Sequence, residues 1–235
     1  MNIYKKALLK DFTSFKIGGP ADIIAEPNSI KELVELIKFL RNSGIIFYII
    51  GNGTNILVSD KGVRGCIVHI GKNLSKIRAN GNKIEAEAGA SLSEIAQVAL
   101  KNNLQGFEEL SGIPGTIGGA VAMNAGAYDK EIKDIFSSAN AINEAGRGIK
   151  LSKDAMNFSY RKSAVSTSKF IVTQVTINLQ EGKKKDIIKN MERYKELREN
   201  AQPLEYPSAG STFKRPEGKY ASKLIRDANL MGESV

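Results

Sequence analysis

Two stretches of this chain are bare enough of side chains for a ligand to reach the backbone. The longer, L-S-G-I-P-G-T-I-G-G-A-V-A-M-N-A-G-A-Y from Leu110 to Tyr128, alternates five glycines with small and apolar residues. The shorter is G-N-G-T-N from Gly51 to Asn55. Glycine costs entropy inside a helix or strand and is favoured at positive φ or where something lies close against the main chain. Successive free N–H groups in such a run make a concave anion site, so the chemistry on offer is phosphate binding; the plainer reading is a tight connector.

Other chemistries are closed off by composition. The single histidine, His69, and the single cysteine, Cys66, share one apolar run, C-I-V-H-I, and read as a satisfied strand residue and a buried thiol. A Ser-His-Asp triad must then use His69, a lone histidine argues against a zinc hydrolase, and one cysteine allows neither an intrachain disulfide nor a cysteine-based metal site. The net charge of +9 comes without a nucleic-acid motif, and small anionic ligands account for it. With 42% hydrophobic and 25% charged residues the 235-residue chain reads as a globular protein of one large or two small domains. No apolar run approaches the ~20 residues of a membrane span and the N-terminus lacks a signal-peptide core, which places the protein in the cytoplasm without membrane insertion. Nothing specifies an oligomeric state.

The elements that must position these stretches follow in order. Thr13 to Asp22 reads as a short strand closed by a Gly-Gly-Pro turn. Ser29 caps a helix with Leu33, Leu36, Ile37 and Leu40 on one face, ended by Gly44. I-I-F-Y-I-I, 45–50, is a continuous apolar run suited to a strand buried on both faces. It enters the 51–55 turn, and I-L-V-S and C-I-V-H-I read as further strands. A dinucleotide fingerprint needs a helix after its glycines and a small residue where Ile56 stands, so that reading fails. I-E-A-E-A, 84–88, alternates as a half-exposed strand, and Ser91 with Glu94 forms a capping box for a helix to about Asn102. Strands are expected near 132–142 and 170–179, with Ser152 capping a short helix between them. A helix over 183–200 has a lysine-rich face above a stripe of Ile187, Ile188, Met191, Tyr194 and Leu197. The proline-rich 202–216 leads to one more helix, 220–229.

T-S-F-K-I-G-G-P-A-D, G-N-G-T-N-I-L-V-S-D, S-G-I-P-G-T-I-G-G-A-V-A-M-N-A-G-A-Y, F-S-Y-R-K-S and P-S-A-G-S-T-F-K-R-P occur together and in this order. In this the chain resembles the shorter branch of the UDP-N-acetylenolpyruvoylglucosamine reductases, also called UDP-N-acetylmuramate dehydrogenases. The resemblance implies an α+β, two-subdomain FAD-binding fold of the vanillyl-alcohol oxidase type, with subdomains over 1–72 and 73–200, followed by an incomplete α/β substrate-binding domain over 201–235. It implies non-covalent FAD, reduction by NADPH, and hydride transfer from the flavin to the enolpyruvyl ether of UDP-N-acetylglucosamine. A protein acid then protonates the carbon bearing the carboxylate.

Carried over residue by residue, Gly51, Asn52, Gly53, Thr54 and Asn55, with Ser111, Gly112, Ile113, Pro114, Gly115, Thr116, Gly118, Gly119 and Ala120, would hold the cofactor. Arg161 would match the active-site arginine, Ser211 the proton donor, and Tyr160 and Lys214 substrate-binding residues. The chemistry suits these types: a guanidinium holds both oxygens of a carboxylate that gains enolate character, and a serine hydroxyl donates a proton only if well positioned and supported. Relatives continue past the helix at 220–229 and carry an active-site glutamate there, which makes FAD binding with weak or absent turnover the expectation for these 235 residues. Two alternatives are a flavin-binding module and another flavin oxidoreductase on the same fold.

Overall fold

The computed structural model describes residues 1–233. Two sheets share one hydrophobic core. The first orders as β1-β2-β4-β3, with β1 at Asn2–Lys5, β2 at Ala21–Glu26, β3 at Phe47–Ile50 and β4 at Val63–His69. β4 lies parallel to both neighbours and β1 pairs antiparallel with β2. Between β2 and β3 runs helix α1, Ile30–Asn42, where Ser29 Oγ accepts the Glu32 N–H at 3.1 Å and Leu33, Ile37 and Leu40 face the core. Strand alternation divides β4 between two cores: Cys66 and Val68 join the main one, while Ile67 packs with Leu9, Ala21 and Ile24 on the far side.

The second sheet is antiparallel, in the order β8-β7-β9-β6-β5. Its strands are β5, Ile77–Asn80; β6, Lys83–Glu87; β7, Phe136–Ile142; β8, Gly148–Ser152; and β9, Ile171–Asn178. Helix α2, Leu92–Lys101, opens with the reciprocal Ser91–Glu94 capping box. Helix α3, Ile117–Ala122, follows, and α4, Lys184–Ala201, closes the body before the short α5, Ala221–Asp227.

Several elements depart from the sequence reading. The stretch before Pro20 joins no sheet; the strand begins after the turn, at Ala21. Residues 56–59 form no strand, because Ser59 C=O instead receives the N–H groups of Gly19 and Gly62, both at 2.9 Å. Ile132–Ile135 is one helical turn and β7 starts only at Phe136. The expected stripe on α4 is buried only at Ile187, with Met191 packed partly against the core and Ile188 and Leu197 exposed. Most telling is β3: it is an edge strand, with Ile46 just before it 64% exposed and Tyr48 52% exposed. Ile46, Tyr48 and Ile49 of its apolar run face open space, while Ile45 and Phe47 pack on the main core and Ile50 on the smaller one.

Candidate functional site

That open space is a cleft of about 1020 Å³ running along β3 from the end of α1, bounded across from it by the 165–172 segment and floored by Gly51, Thr116, Gly118 and Gly119. The volume stands at the upper end of small-molecule pockets, about 300–1,000 Å³, and suits an elongated ligand with apolar parts.

The two bare stretches meet at its floor. Gly51 lies so close to Thr116 that a Cβ on it would overlap Thr116 Oγ1. Asn52 Nδ2 donates to the Pro114 carbonyl at 3.5 Å, and Thr54 Oγ1 stands beside Gly115. On the other side of the turn the Ser14 N–H donates to Gly53 O at 3.2 Å. Thr116 caps α3 by accepting the Gly119 N–H at 3.3 Å. The Ile117 and Gly118 amides are taken by Ala90 O at 2.8 Å and Ala88 O at 2.9 Å, and Leu92 N–H binds Gly115 O at 3.1 Å. Open donors lie in both stretches: among the described residues, no main-chain acceptor takes the N–H groups of Gly51, Asn52, Gly53, Thr54 or Asn55, nor those of Gly112, Gly115 or Thr116. Five such donors in succession, beginning at Gly51 in the cleft lining, are free to bind water or an anion.

The remaining residues of the long run face elsewhere. Ser111 Oγ donates to Glu108 O at 2.6 Å, Gly112 rests against the Arg198 side chain, Ile113 packs on the core, and Ala120 is buried.

Arg161 occupies a two-residue turn closed by reciprocal Ser159 and Lys162 hydrogen bonds, 3.0 and 3.1 Å. Its φ of 54° is left-handed, uncommon for a side chain of this size. Its guanidinium donates to Asn124 O at 3.4 Å and Gly126 O at 3.1 Å, and sits 5.1 Å from the Tyr160 ring centroid. Tyr160 Oη accepts the Arg215 N–H at 3.1 Å, and Ser14 Oγ donates to Ser208 O at 2.6 Å. Between those anchors the chain carries Ser211 and Lys214, both exposed; among the described residues no hydrogen bond joins either to Arg161.

At the end of the cleft near α1, Arg41 donates to the Asn143 carbonyl and, at 2.8 Å, to Lys169 O, while Lys169 pairs with Glu144. Burial lowers the Arg41 pKa and Glu144 opposes it; Glu144 itself is held below the usual carboxylate range by Lys169. Reading the sequence missed this clasp, since its members lie on three separate elements. It also missed Asn124, a fully buried polar residue hidden inside the glycine run. Burial raises the Cys66 thiol pKa, and among the described residues no cluster of His, Cys, Asp and Glu could hold a metal and no helix is long and apolar enough to cross a membrane.

Residues 21–152 match the family described as FAD binding domain, and residues 202–235 match the UDP-N-acetylenolpyruvoylglucosamine reductase C-terminal domain. A cholesterol oxidase from Brevibacterium sterolicum shares the fold at 15% identity, with a TM-score of 0.59 over 77% of this chain and 38% of that one. The two sheets flanking a cleft are thus the α+β FAD-binding architecture that the family resemblance implies. The UDP-N-acetylenolpyruvylglucosamine reductase of Thermus caldophilus aligns with a TM-score of 0.86 at 32% identity, over 100% of this chain and 83% of that one. The reductase of Caldanaerobacter subterraneus subsp. tengcongensis is 52% identical over 233 residues, 99% of this chain and 77% of its own length. At that identity over that span, the chain belongs to the UDP-N-acetylenolpyruvoylglucosamine reductase family.

Proposed function

We propose that the protein is an FAD- and NADPH-dependent reductase that converts the enolpyruvyl ether of UDP-N-acetylglucosamine to UDP-N-acetylmuramate, a step of peptidoglycan precursor synthesis, in the cytoplasm. The observation that carries this reading is the row of unpaired amides from Gly51 to Asn55, set against Thr116 on the floor of a cleft with an exposed apolar edge.

The residues present fit the cofactor. The 51–55 amides would hold the diphosphate without a helix dipole. Gly115 and Gly119 keep bulk away from the backbone beside Thr54 and Thr116, and Ile46, Tyr48 and Ile49 offer apolar surface for planar rings to cover. Residues 2–69 and 77–178 form the two sheets, which supports a division into two cofactor-binding subdomains, with 201–235 leading into a substrate-binding part. When bound, FAD supplies the two-electron hydride chemistry that no side chain here can carry.

The chain's own groups do the rest. Arg161 spends two donors of its five on carbonyls, leaving a cationic fork for the substrate carboxylate as it gains negative charge. Tyr160 and Lys214 would border the same substrate. The Ser211 hydroxyl would give a proton to the carbon that bears the carboxylate once the 208–215 segment is drawn over the site.

Anaerobic stopped-flow of the FAD-loaded chain tests this. Bleaching of the flavin by NADPH, with recovery only after the enolpyruvyl sugar is added, is expected of the reductase. A flavin that NADPH bleaches and the sugar never restores would instead leave a cofactor-holding chain without the second half-reaction.

A further inference from the structure

We infer that Asn124 is the positioning residue for Arg161, holding both the turn that carries it and the guanidinium itself. What Arg161 does rests on the reductase reading; how Arg161 is held does not.

Asn124 is completely buried, with a left-handed φ of 41°. Every polar atom of its side chain is used across one junction. Nδ2 donates to Glu131 Oε2 and to Ser159 O, both at 3.0 Å, and Oδ1 accepts the Lys133 N–H at 3.0 Å. Reversing the amide would set its oxygen against a carboxylate and a carbonyl, so the donor end has one possible direction. Glu131 is fixed in turn by Lys133 Nζ at 2.6 Å.

Ser159 begins the turn 159–162, and Asn124 grips it there by its carbonyl. One residue past the turn, Ser163 Oγ donates to Ala122 O at 2.8 Å. The turn is therefore tied at both ends to the stretch 122–124. The Asn124 carbonyl then receives Arg161 Nη1, completing a loop from side chain to turn to guanidinium and back to the same residue. Arg161 alone has a positive φ in this turn, a conformation that persists only when its surroundings enforce it. A buried amide bonded to that turn at Ser159 O, and anchored on its other sides by Glu131 and the Lys133 N–H, supplies the enforcement.

The test has two readouts on the FAD-loaded protein. The first is hydrogen exchange at the Arg161 guanidinium by NMR, assigned through Arg161→Lys. Asn124→Gly tolerates the left-handed backbone but removes the amide, and it should speed that exchange about tenfold or more. Unchanged exchange overturns the inference. The second is a double-mutant cycle in binding of the enolpyruvyl UDP-sugar, where Asn124→Gly should weaken binding about tenfold beside Arg161 but less than about twofold beside Arg161→Lys. Additive losses overturn the claim that Asn124 acts through Arg161.

If Asn124→Gly does not fold, Asn124→Asp keeps the size of the side chain but sets a carboxylate oxygen against the Ser159 carbonyl in place of the donor. It should speed the guanidinium exchange in the same way, and unchanged exchange overturns the inference. Altered exchange in a protein whose parent form binds no sugar would overturn the reductase reading and leave the positioning role standing.

Discussion

Gly51 and Thr116 touch across the floor of the cleft, where a Cβ on Gly51 would overlap Thr116 Oγ1 and stand 3.1 Å from Cγ2. This contact joins the end of β3 to the cap of α3, and so fixes how the open amides of 51–55 sit against the second sheet. Gly51→Ala must displace the threonine or the turn. Overpacking of this kind costs about 1–3 kcal/mol, and we expect it as weaker FAD binding and a lower melting temperature. Thr116→Ala clears the space while losing the cap, which by itself costs about 0.5–2 kcal/mol. Gly51→Ala should therefore do less harm in the Thr116→Ala background than alone, as measured by flavin titration. Equal harm in both backgrounds would mean that the close approach does not set the 51–55 turn.

Arg161→Lys keeps the charge and loses the fork. Flavin reoxidation by the enolpyruvyl sugar should slow by about 10²–10³, the usual effect of removing a donor aimed at developing negative charge. Reduction of the flavin by NADPH should stay within about twofold. Loss of both half-reactions to the same degree would place Arg161 in the structure of the cleft and not at the substrate.

Ser211 lies in an exposed segment held to the body by Ser14 with Ser208 and by Tyr160 with Arg215. Ser211→Ala should slow sugar-dependent reoxidation by about 10²–10⁴, the range for a lost general acid, with NADPH oxidation nearly intact. Tyr160→Phe removes the acceptor that holds Arg215 N and should reproduce a smaller part of the same defect. If Ser211→Ala leaves reoxidation unchanged, the proton comes from another group.

Local chemistry was the legible part of this chain. The caps at Ser29 and Ser91 and the alternation in β6 each depend on residues a few positions apart, and each formed as read. What depended on distant partners was not legible. An apolar run such as 45–50 looks the same whether it is covered by protein or left open to a cleft, so the edge position of β3 could not be foreseen. Helix α3 contains two adjacent glycines, which disfavour a helix, and the need for one of them lies far off in sequence: a Cβ on Gly118 would come within 2.9 Å of the Ala88 Cβ. Asn124 looked like one more small residue in the run because its three hydrogen-bonding partners lie up to 35 positions away.

Glu26 ties together three strands of the first sheet, accepting from Tyr4 Oη at 3.0 Å and meeting His69 Nδ1 at 2.7 Å. Burial pushes its carboxyl pKa up, but the hydrogen bonds of His69 and Tyr4, with the charge interaction of His69, outweigh this and hold it below the usual value. A carboxyl lowered by folding stabilises the fold above its unfolded value, about 4.3 for glutamate, and that contribution is lost as pH falls through the lower folded value. At about pH 7, Glu26→Gln should cost about 1–3 kcal/mol in urea unfolding, the range for hydrogen bonds to a charged group. Once the pH has fallen below that lowered folded value the parent protein protonates Glu26 as well, and the two stability curves should converge. A gap that stays constant from neutral to acid pH would assign the loss to the altered packing of the amide, because only the ionised carboxylate has a contribution that acid can remove.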